Sequence, residues 1–209
     1  MNETAKHLSE GRLLPLMEEF YSLQGEGFHT GSPAWFIRLA GCDVACSWCD
    51  VKASWDADLY PLVAADDIVS HALQCPAKAV VVTGGEPLQC NLDYLCSLLK
   101  KNSIQTFLET SGSEILSGQW NWVCLSPKKN APPLDIFYLV ANELKVVISD
   151  CSDFEWAEKC AKKVNKHCRL FLQPEWRRYD GMIKKIADYI MQNPLWRISL
   201  QSHKFMRIP

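Results

Sequence analysis

The chain has no long hydrophobic run. Nothing in its 209 residues approaches the roughly eighteen consecutive apolar residues of a membrane span. Its first residues, Met1-Asn2-Glu3-Thr4-Ala5-Lys6-His7, lead into no signal-peptide core. It also has little charge of one sign to spare. Twenty-two Lys and Arg stand against 24 Asp and Glu, a balance of −2, which gives no electrostatic footprint for nucleic acid or an anionic membrane. Internal repeats, low-complexity tracts and linkers are absent too. The expectation is one domain over residues 1–209, with a loose polar segment at 1–13, working on small molecules in the cytosol.

Cysteine, by contrast, is plentiful, with ten in the chain. A reducing compartment argues against a disulfide framework. Cys75, Cys90, Cys96, Cys124, Cys151, Cys160 and Cys168 lie at no metal-like spacing and read mostly as buried small hydrophobes. Cys42, Cys46 and Cys49 are different. Their close spacing in Cys42-Asp43-Val44-Ala45-Cys46-Ser47-Trp48-Cys49 gathers three thiolates on one loop. A closed zinc site and a conventional 4Fe–4S cluster each want four ligands. Three leave one metal position for an exogenous group. A structural zinc with a distant fourth ligand, from Cys75, Cys90 or a histidine, is the alternative on these residues alone.

Further on, the apolar run Ala79-Val80-Val81-Val82-Thr83 ends in Gly84-Gly85-Glu86-Pro87. That pattern reads as a buried strand closed by a turn where bare backbone can approach a ligand. Other strand-like runs cover 16–22, 34–40, 104–109, 121–125, 143–149, 168–173 and 195–201. Most lack clean alternation, as suits strands covered on both faces. Amphipathic helices are expected at 66–75, 91–101, 153–166 and 180–192, with Asp66, Asn91, Asp153 and Asp180 marking their starts. Alternating βα units imply a parallel sheet with right-handed crossovers. About six units fall short of the eight in a complete barrel. The expected fold class is α/β, an incomplete (β/α)6-type barrel or a strongly curled open sheet, with ligands in either case at the C-terminal strand ends.

The two motifs together, Cys42-x3-Cys46-x-Trp48-Cys49 and Gly84-Gly85-Glu86-Pro87, resemble those of the radical S-adenosylmethionine (SAM) superfamily. The resemblance implies one 4Fe–4S cluster on Cys42, Cys46 and Cys49, with its fourth iron chelated by SAM. It also implies that the reduced cluster cleaves SAM to a 5′-deoxyadenosyl radical, which abstracts hydrogen from a substrate. Gly84 and Gly85 then meet the methionyl group, and Trp48 lies by the adenine. An electron donor such as flavodoxin or ferredoxin is implied as partner.

Across nearly its whole length the chain resembles one family of this group, the 7-carboxy-7-deazaguanine synthases. The matching residues are Leu23-Gln24-Gly25-Glu26-Gly27, Arg38, Ser126-Pro127-Lys128, Gln173-Pro174 and the segment from Gln201 to Pro209. Such enzymes convert 6-carboxy-5,6,7,8-tetrahydropterin to 7-carboxy-7-deazaguanine, with loss of ammonia, in queuosine and 7-deazapurine biosynthesis. The resemblance assigns Arg38 to the substrate carboxylate. It gives Leu23, Gln24, Gly25, Glu26, Thr83, Gln173, His203 and the α-carboxylate of Pro209 to the heterocycle. Ser126, Pro127 and Lys128 go to SAM, with Glu109 a further candidate there. Lys145 either enters the barrel or snorkels outward.

The family's magnesium ligand is a threonine where this chain has Val51. Valine cannot ligate, so Mg2+ is expected on Asp50, Ser54, water or substrate oxygens, or with a weaker role. The family also implies a homodimer. A glycyl-radical-enzyme activase is the rival reading; it would need neither Arg38 nor the terminal segment.

Overall fold

The structure, a computed structural model, describes residues 3–209. Its nine strands are β1 (Leu13–Leu23), β2 (Pro33–Leu39), β3 (Leu62–Ala64), β4 (Ala79–Gly84), β5 (Gln105–Thr110), β6 (Trp122–Leu125), β7 (Glu143–Ile148), β8 (Arg169–Pro174) and β9 (Trp196–Ile198). They form one sheet in the order β3-β1-β2-β4-β5-β6-β7-β8-β9. From β2 to β9 every neighbouring pair is parallel. The sheet curls into a partial barrel and stays open, as expected, because β3 and β9 are its edges.

The first strand departs from the expected pattern. β1 runs antiparallel to β2, pairing Leu23 with Pro33, so it exits at the opposite end from the cysteine loop. Its partner β3 was not foreseen, since three residues are too few to show a period. β9 covers only Trp196–Ile198 of the expected 195–201.

Seven helices are described: α1 (Glu3–Ser9), α2 (Ala65–Leu73), α3 (Asp93–Lys101), α4 (Asp135–Val140), α5 (Asp153–Ala161), α6 (Tyr179–Gln192) and α7 (Ser202–Met206). The segment expected to be loose thus contains α1. Gly11, at φ 68°, closes that helix, and Asn91 donates to Ser9 O at 3.3 Å. Arg12 lies 4.3 Å over the ring of Tyr94 and pins the segment to α3. The short helices α4 and α7 also escaped notice, because neither is long enough to display an amphipathic stripe. Asp66 does not cap α2. Its N-cap is Ala64, and the Asp66 carboxylate accepts from Tyr94 Oη instead. Asn91 does act at the start of α3, accepting from Asp93 N at 2.9 Å.

Side chains alternate across each strand, and this sets the whole architecture. On β2, Ile37 and Leu39 face the helices, as do Val80 and Val82 on β4 and Leu144, Val146 and Ile148 on β7. There they pack against Ile68 and Val69 of α2, Leu95 and Leu99 of α3, and Phe137 of α4. The intervening residues face the lumen. Ala34, Phe36, Val81 and Phe107 make a small apolar floor there. Of the seven other cysteines, Cys96, Cys124 and Cys160 are buried, Cys75, Cys90 and Cys168 half-buried, and Cys151 exposed.

Candidate functional site

After β1 the chain turns back into the lumen and plugs its lower end. His29 stacks on Phe107 with ring centroids 4.4 Å apart, and Phe28 stacks on Trp122 at 4.8 Å. Gly27 is obligatory here. Its φ is +63°, and a Cβ would meet Glu143 Oε1 at 1.9 Å. The same loop bridges the open side of the barrel, because Gly27 N donates to Ser199 Oγ at 2.9 Å and Ser202 N to Gly25 O at 2.9 Å. Above this plug lies a cavity of about 600 Å3, within the usual range for small-molecule sites.

At one end the cavity meets Cys42, Cys46, Cys49 and Trp48. Gly41 N and Cys42 N donate to Ser54 O and Trp55 O, at 2.7 and 3.1 Å, which ties the cysteine loop to the 3-10 turn Lys52–Trp55 that follows it. The glycine pair is explained by packing. Gly85 N donates to Leu39 O at 3.0 Å and Glu86 N to Gly41 O at 2.8 Å. A Cβ on Gly84 would sit 2.1 Å from Leu39 O, and one on Gly85 2.3 Å from Gly41 O. The glycines therefore let two backbones touch each other, and through that contact they lock the cysteine loop against the β4 end. Glu86 extends the lock to β5, accepting from Thr110 Oγ1 at 2.6 Å and Ser111 N at 2.8 Å.

Burial pushes the Cys42 and Cys46 thiols up, so they become thiolates only when a cation meets them. Among the described residues no three His, Cys, Asp or Glu side chains converge on a single ion site. A 4Fe–4S cluster spreads its thiolates over separate irons, and three cysteines around one cavity mouth suit it. Beside them, Lys128 Nζ donates to Ser126 O at 2.7 Å and to Ser126 Oγ at 2.6 Å, and lies 5.3 Å over the Trp48 ring. Trp48, Ser126 and Lys128 are thus gathered as expected. Pro127 is not; it is buried and lies off the cavity wall.

The other end carries Leu23, Gln24, Gly25, Glu26, Arg38, Thr83, Glu109, Gln173, His203 and Pro209. Glu109, grouped with SAM from sequence, stands here as a hub. It accepts from Gln24 Nε2 at 3.0 Å and from Thr83 Oγ1 at 3.3 Å. Gln173 accepts from Ser199 Oγ at 2.7 Å. Arg38 enters the lumen, and its Nε donates to Glu18 Oε1 at 2.6 Å. Its charge is therefore shared with a protein carboxylate as well as open to the cavity. The backbone of Gln24 is engaged by Ser32 O and Gly31 N, and Gly25 O by Ser202.

His203 covers Gly25 closely enough that a Cβ on Gly25 would meet its Nδ1 at 2.1 Å. Burial pushes the His203 imidazole down, so it is neutral at neutral pH. Pro209 O accepts from Ser22 Oγ at 2.9 Å, which folds the last residues back onto β1. Of the two side chains offered for magnesium, Ser54 is fully buried and its hydroxyl is turned onto Val51 O at 2.7 Å. Asp50 does face the cavity, held by Lys204 Nζ at 2.6 Å and Gln201 Nε2 at 3.2 Å. Burial raises the Asp50 carboxyl, but Lys204 overrides it and the net shift is downward.

Sequence reasoning left Lys145 undecided and did not single out Glu18, Gln201 or Ser199. Lys145 points inward, in contact with Glu26 and 3.8 Å from Glu109. The alternation in Glu143-Leu144-Lys145-Val146-Val147-Ile148 carried that answer. Glu143 and Lys145 share one face of β7, and the opposite face is all apolar.

An open barrel, parallel from β2 to β9, with three half-buried cysteines at the mouth of its cavity defines a single-cluster iron–sulfur enzyme of the radical SAM type, and the model of the 4Fe-4S single cluster domain family matches residues 23–127. The chain is 52% identical to the 7-carboxy-7-deazaguanine synthase of Flavobacterium psychrophilum, over 97% of this chain and 96% of the relative. It is 45% identical to that of Synechocystis over 93% of each, and 34% to that of Escherichia coli K12 over 93% and 98%. The crystal structure of QueE from Escherichia coli superposes with a TM-score of 0.81 at 29% identity, covering 97% of this chain and all of that one. The chain belongs to the 7-carboxy-7-deazaguanine synthase family.

Proposed function

We propose that this chain converts 6-carboxy-5,6,7,8-tetrahydropterin to 7-carboxy-7-deazaguanine, by ring contraction with loss of ammonia, in queuosine and 7-deazapurine biosynthesis. One observation carries the reading. A single cavity joins a mouth of three cysteines to a wall bearing the Arg38 guanidinium, the Glu26 and Glu109 carboxylates, the carboxamides of Gln24, Gln173 and Gln201 and the neutral His203 imidazole, which is the polar inventory for a carboxylated pterin. The cluster and SAM, when bound, supply the radical that starts the reaction.

The chain's own residues bind, orient and exclude water. Arg38 pairs with the substrate carboxylate by a charge-assisted contact, in exchange with Glu18. Gln24, Glu26, Gln173, His203 and the carboxylate of Pro209 address the aminopyrimidinone edge, with Thr83 and Leu23 beside it. Glu109 holds Gln24 and Thr83 in place from the side. Trp48, Ser126 and Lys128 hold SAM, and Gly84 and Gly85 set the strand end on which it rests. The His29, Phe28 and Trp122 plug closes the lower end against solvent. If a magnesium ion is bound, Asp50 is the side chain that can reach it, by releasing Lys204. The chain acts as one domain in the cytosol, as a homodimer, and takes electrons from a flavodoxin or ferredoxin. No helix among the described residues is long and apolar enough to cross a membrane.

The test is anaerobic reconstitution with iron and sulfide, then assay with SAM, dithionite and the pterin. The product and 5′-deoxyadenosine should form together. Cluster assembly and SAM cleavage without any pterin product, coupled to radical formation on an added protein, would favour the activase reading.

A further inference from the structure

One charged group in the lumen has no part in the roles above. Lys145 is 4% exposed and projects from the middle of β7 into the cavity wall. It contacts Glu26 directly, and Glu109 Oε1 lies 3.8 Å away. Each carboxylate is held by a second group as well. Gln201 Nε2 donates to Glu26 Oε1 at 2.9 Å, and Gln24 Nε2 to Glu109 Oε1 at 3.0 Å. Glu143, the other lumen acid on β7, is occupied at the plug by Phe28 N and Trp122 Nε1, both at 3.1 Å.

One cation thus stands between two anions in a low-dielectric wall. An isolated carboxylate buried there would take up a proton and become a donor. Beside Lys145 it stays ionised. Burial raises the Glu26 carboxyl, yet the charge and hydrogen bond of Lys145 bring it down to about 2. An ionised carboxylate is an acceptor only, with about four lone-pair sites. The protein fills part of these on Glu26, Glu109 accepts from Gln24 and Thr83, and both residues line the cavity.

We propose that Lys145 is a positioning and selectivity residue: it fixes Glu26 and Glu109 as hydrogen-bond acceptors in the cavity wall, so that the ligand edge facing them must present N–H donors. A ligand with a carbonyl at that place meets lone pair against lone pair and is refused. This rests on the pterin reading of the site and adds to it the group that enforces the choice between a 2-amino edge and a 2-oxo edge.

The test uses the reconstituted full chain and anaerobic calorimetry with two probes, 6-carboxytetrahydropterin and its 2-oxo counterpart, the reduced 6-carboxylumazine. Wild-type protein should favour the amino form at least tenfold. K145M should weaken binding of the amino form tenfold or more and bring the two Kd values within about threefold of each other. Its iron content and SAM affinity should match wild type, and K145R should restore most of the preference. Should K145M fail to fold, K145A, whose missing side chain leaves room for water beside the two carboxylates, reads the same ratio.

A K145M or K145A variant that keeps the wild-type preference, whatever its melting temperature, overturns the proposal and leaves Lys145 a structural ion. So does a wild type that binds both probes alike. A wild type that ignores both probes while its cluster and SAM site are intact sinks the pterin reading itself, and this proposal with it.

Discussion

The two faces of the sheet are made by the same strands and do opposite work. The outer face meets α2 to α6 through aliphatic side chains, with Phe137, Leu95, Leu99, Leu108, Leu125 and Leu144 fully buried. Its contacts are non-directional, and each methylene removed from water contributes about 0.8 kcal/mol. The inner face holds Arg38, Thr83, Glu109, Lys145 and Gln173 above a floor of four apolar residues. Its contacts are directional, and each polar group depends on a partner far away in sequence. Stability therefore resides mainly outside the sheet and recognition inside it. Substitutions on the two faces should separate in what they damage.

The sharpest way to break that division lies at the cavity mouth. Replacing Cys42, Cys46 or Cys49 by Ala should abolish cluster assembly and all SAM cleavage, since two thiolates do not retain the cluster. Cys96→Ala and Cys160→Ala, on the outer face, should lower the melting temperature and leave iron content unchanged. Iron analysis of the five proteins decides it, and equal loss of iron in both groups would erase the distinction.

Next comes the outer core. Phe137→Ala should cost about 3–5 kcal/mol of unfolding free energy, read by denaturant titration, with the substrate KM unmoved at a temperature where the variant is folded. A raised KM would mean that the helix layer tunes the lumen directly.

Arg38→Ala should do the reverse. Loss of a charge-assisted pair to a desolvated carboxylate costs about 2–5 kcal/mol of binding, so KM for the pterin should rise by an order of magnitude or more. SAM affinity should hold. Because Glu18 shares the guanidinium in the structure, Glu18→Ala should lower KM modestly if the substrate must displace it.

Acid should affect the inner face through Glu26. Its carboxyl falls from an ordinary value of 4.5 to about 2 on folding. A depressed carboxyl contributes stability that is fully present above the unfolded value and is lost as pH falls toward the folded one. Wild-type stability should therefore decline between about pH 4.5 and 2, and Glu26→Gln should flatten that decline. Parallel acid curves for the two proteins would contradict the pairing with Lys145.

The smallest effect is expected at Val51. Val51→Thr should raise the magnesium stimulation of turnover while barely altering SAM cleavage without substrate. Equal, strong stimulation in both proteins would assign the ion to Asp50 without help from position 51.

Most of the outer face could be read from the sequence. The four longer helices and eight of the strands follow from local period, caps and apolar runs, and local signals are what a linear reading sees. The cysteine and glycine motifs were legible for the same reason. The lumen was not. Glu109 was placed near SAM because it ends a strand, yet its partners Gln24 and Thr83 come from the loop after β1 and from β4. The antiparallel course of β1 was hidden because a strand carries no mark of its direction. Pro127 was included for its neighbours, and burial removed it from the wall.

The bridge across the open side of the barrel joins very distant parts of the chain. Ser22 meets Pro209 across 187 positions, Gly25 meets Ser202 across 177, and Gly27 meets Ser199 across 172. Closing such loops carries a large entropic cost, repaid here by a few hydrogen bonds at a sheet edge rather than by a packed core. That side of the barrel is then a seam: the last part to close as the chain folds and the first to open in the native protein. The amides of Gly27 and Ser202 should exchange with deuterium well before those of Val82 and Leu108. Substrate that spans the seam should slow them, because a ligand held by both edges acts as the missing stitch.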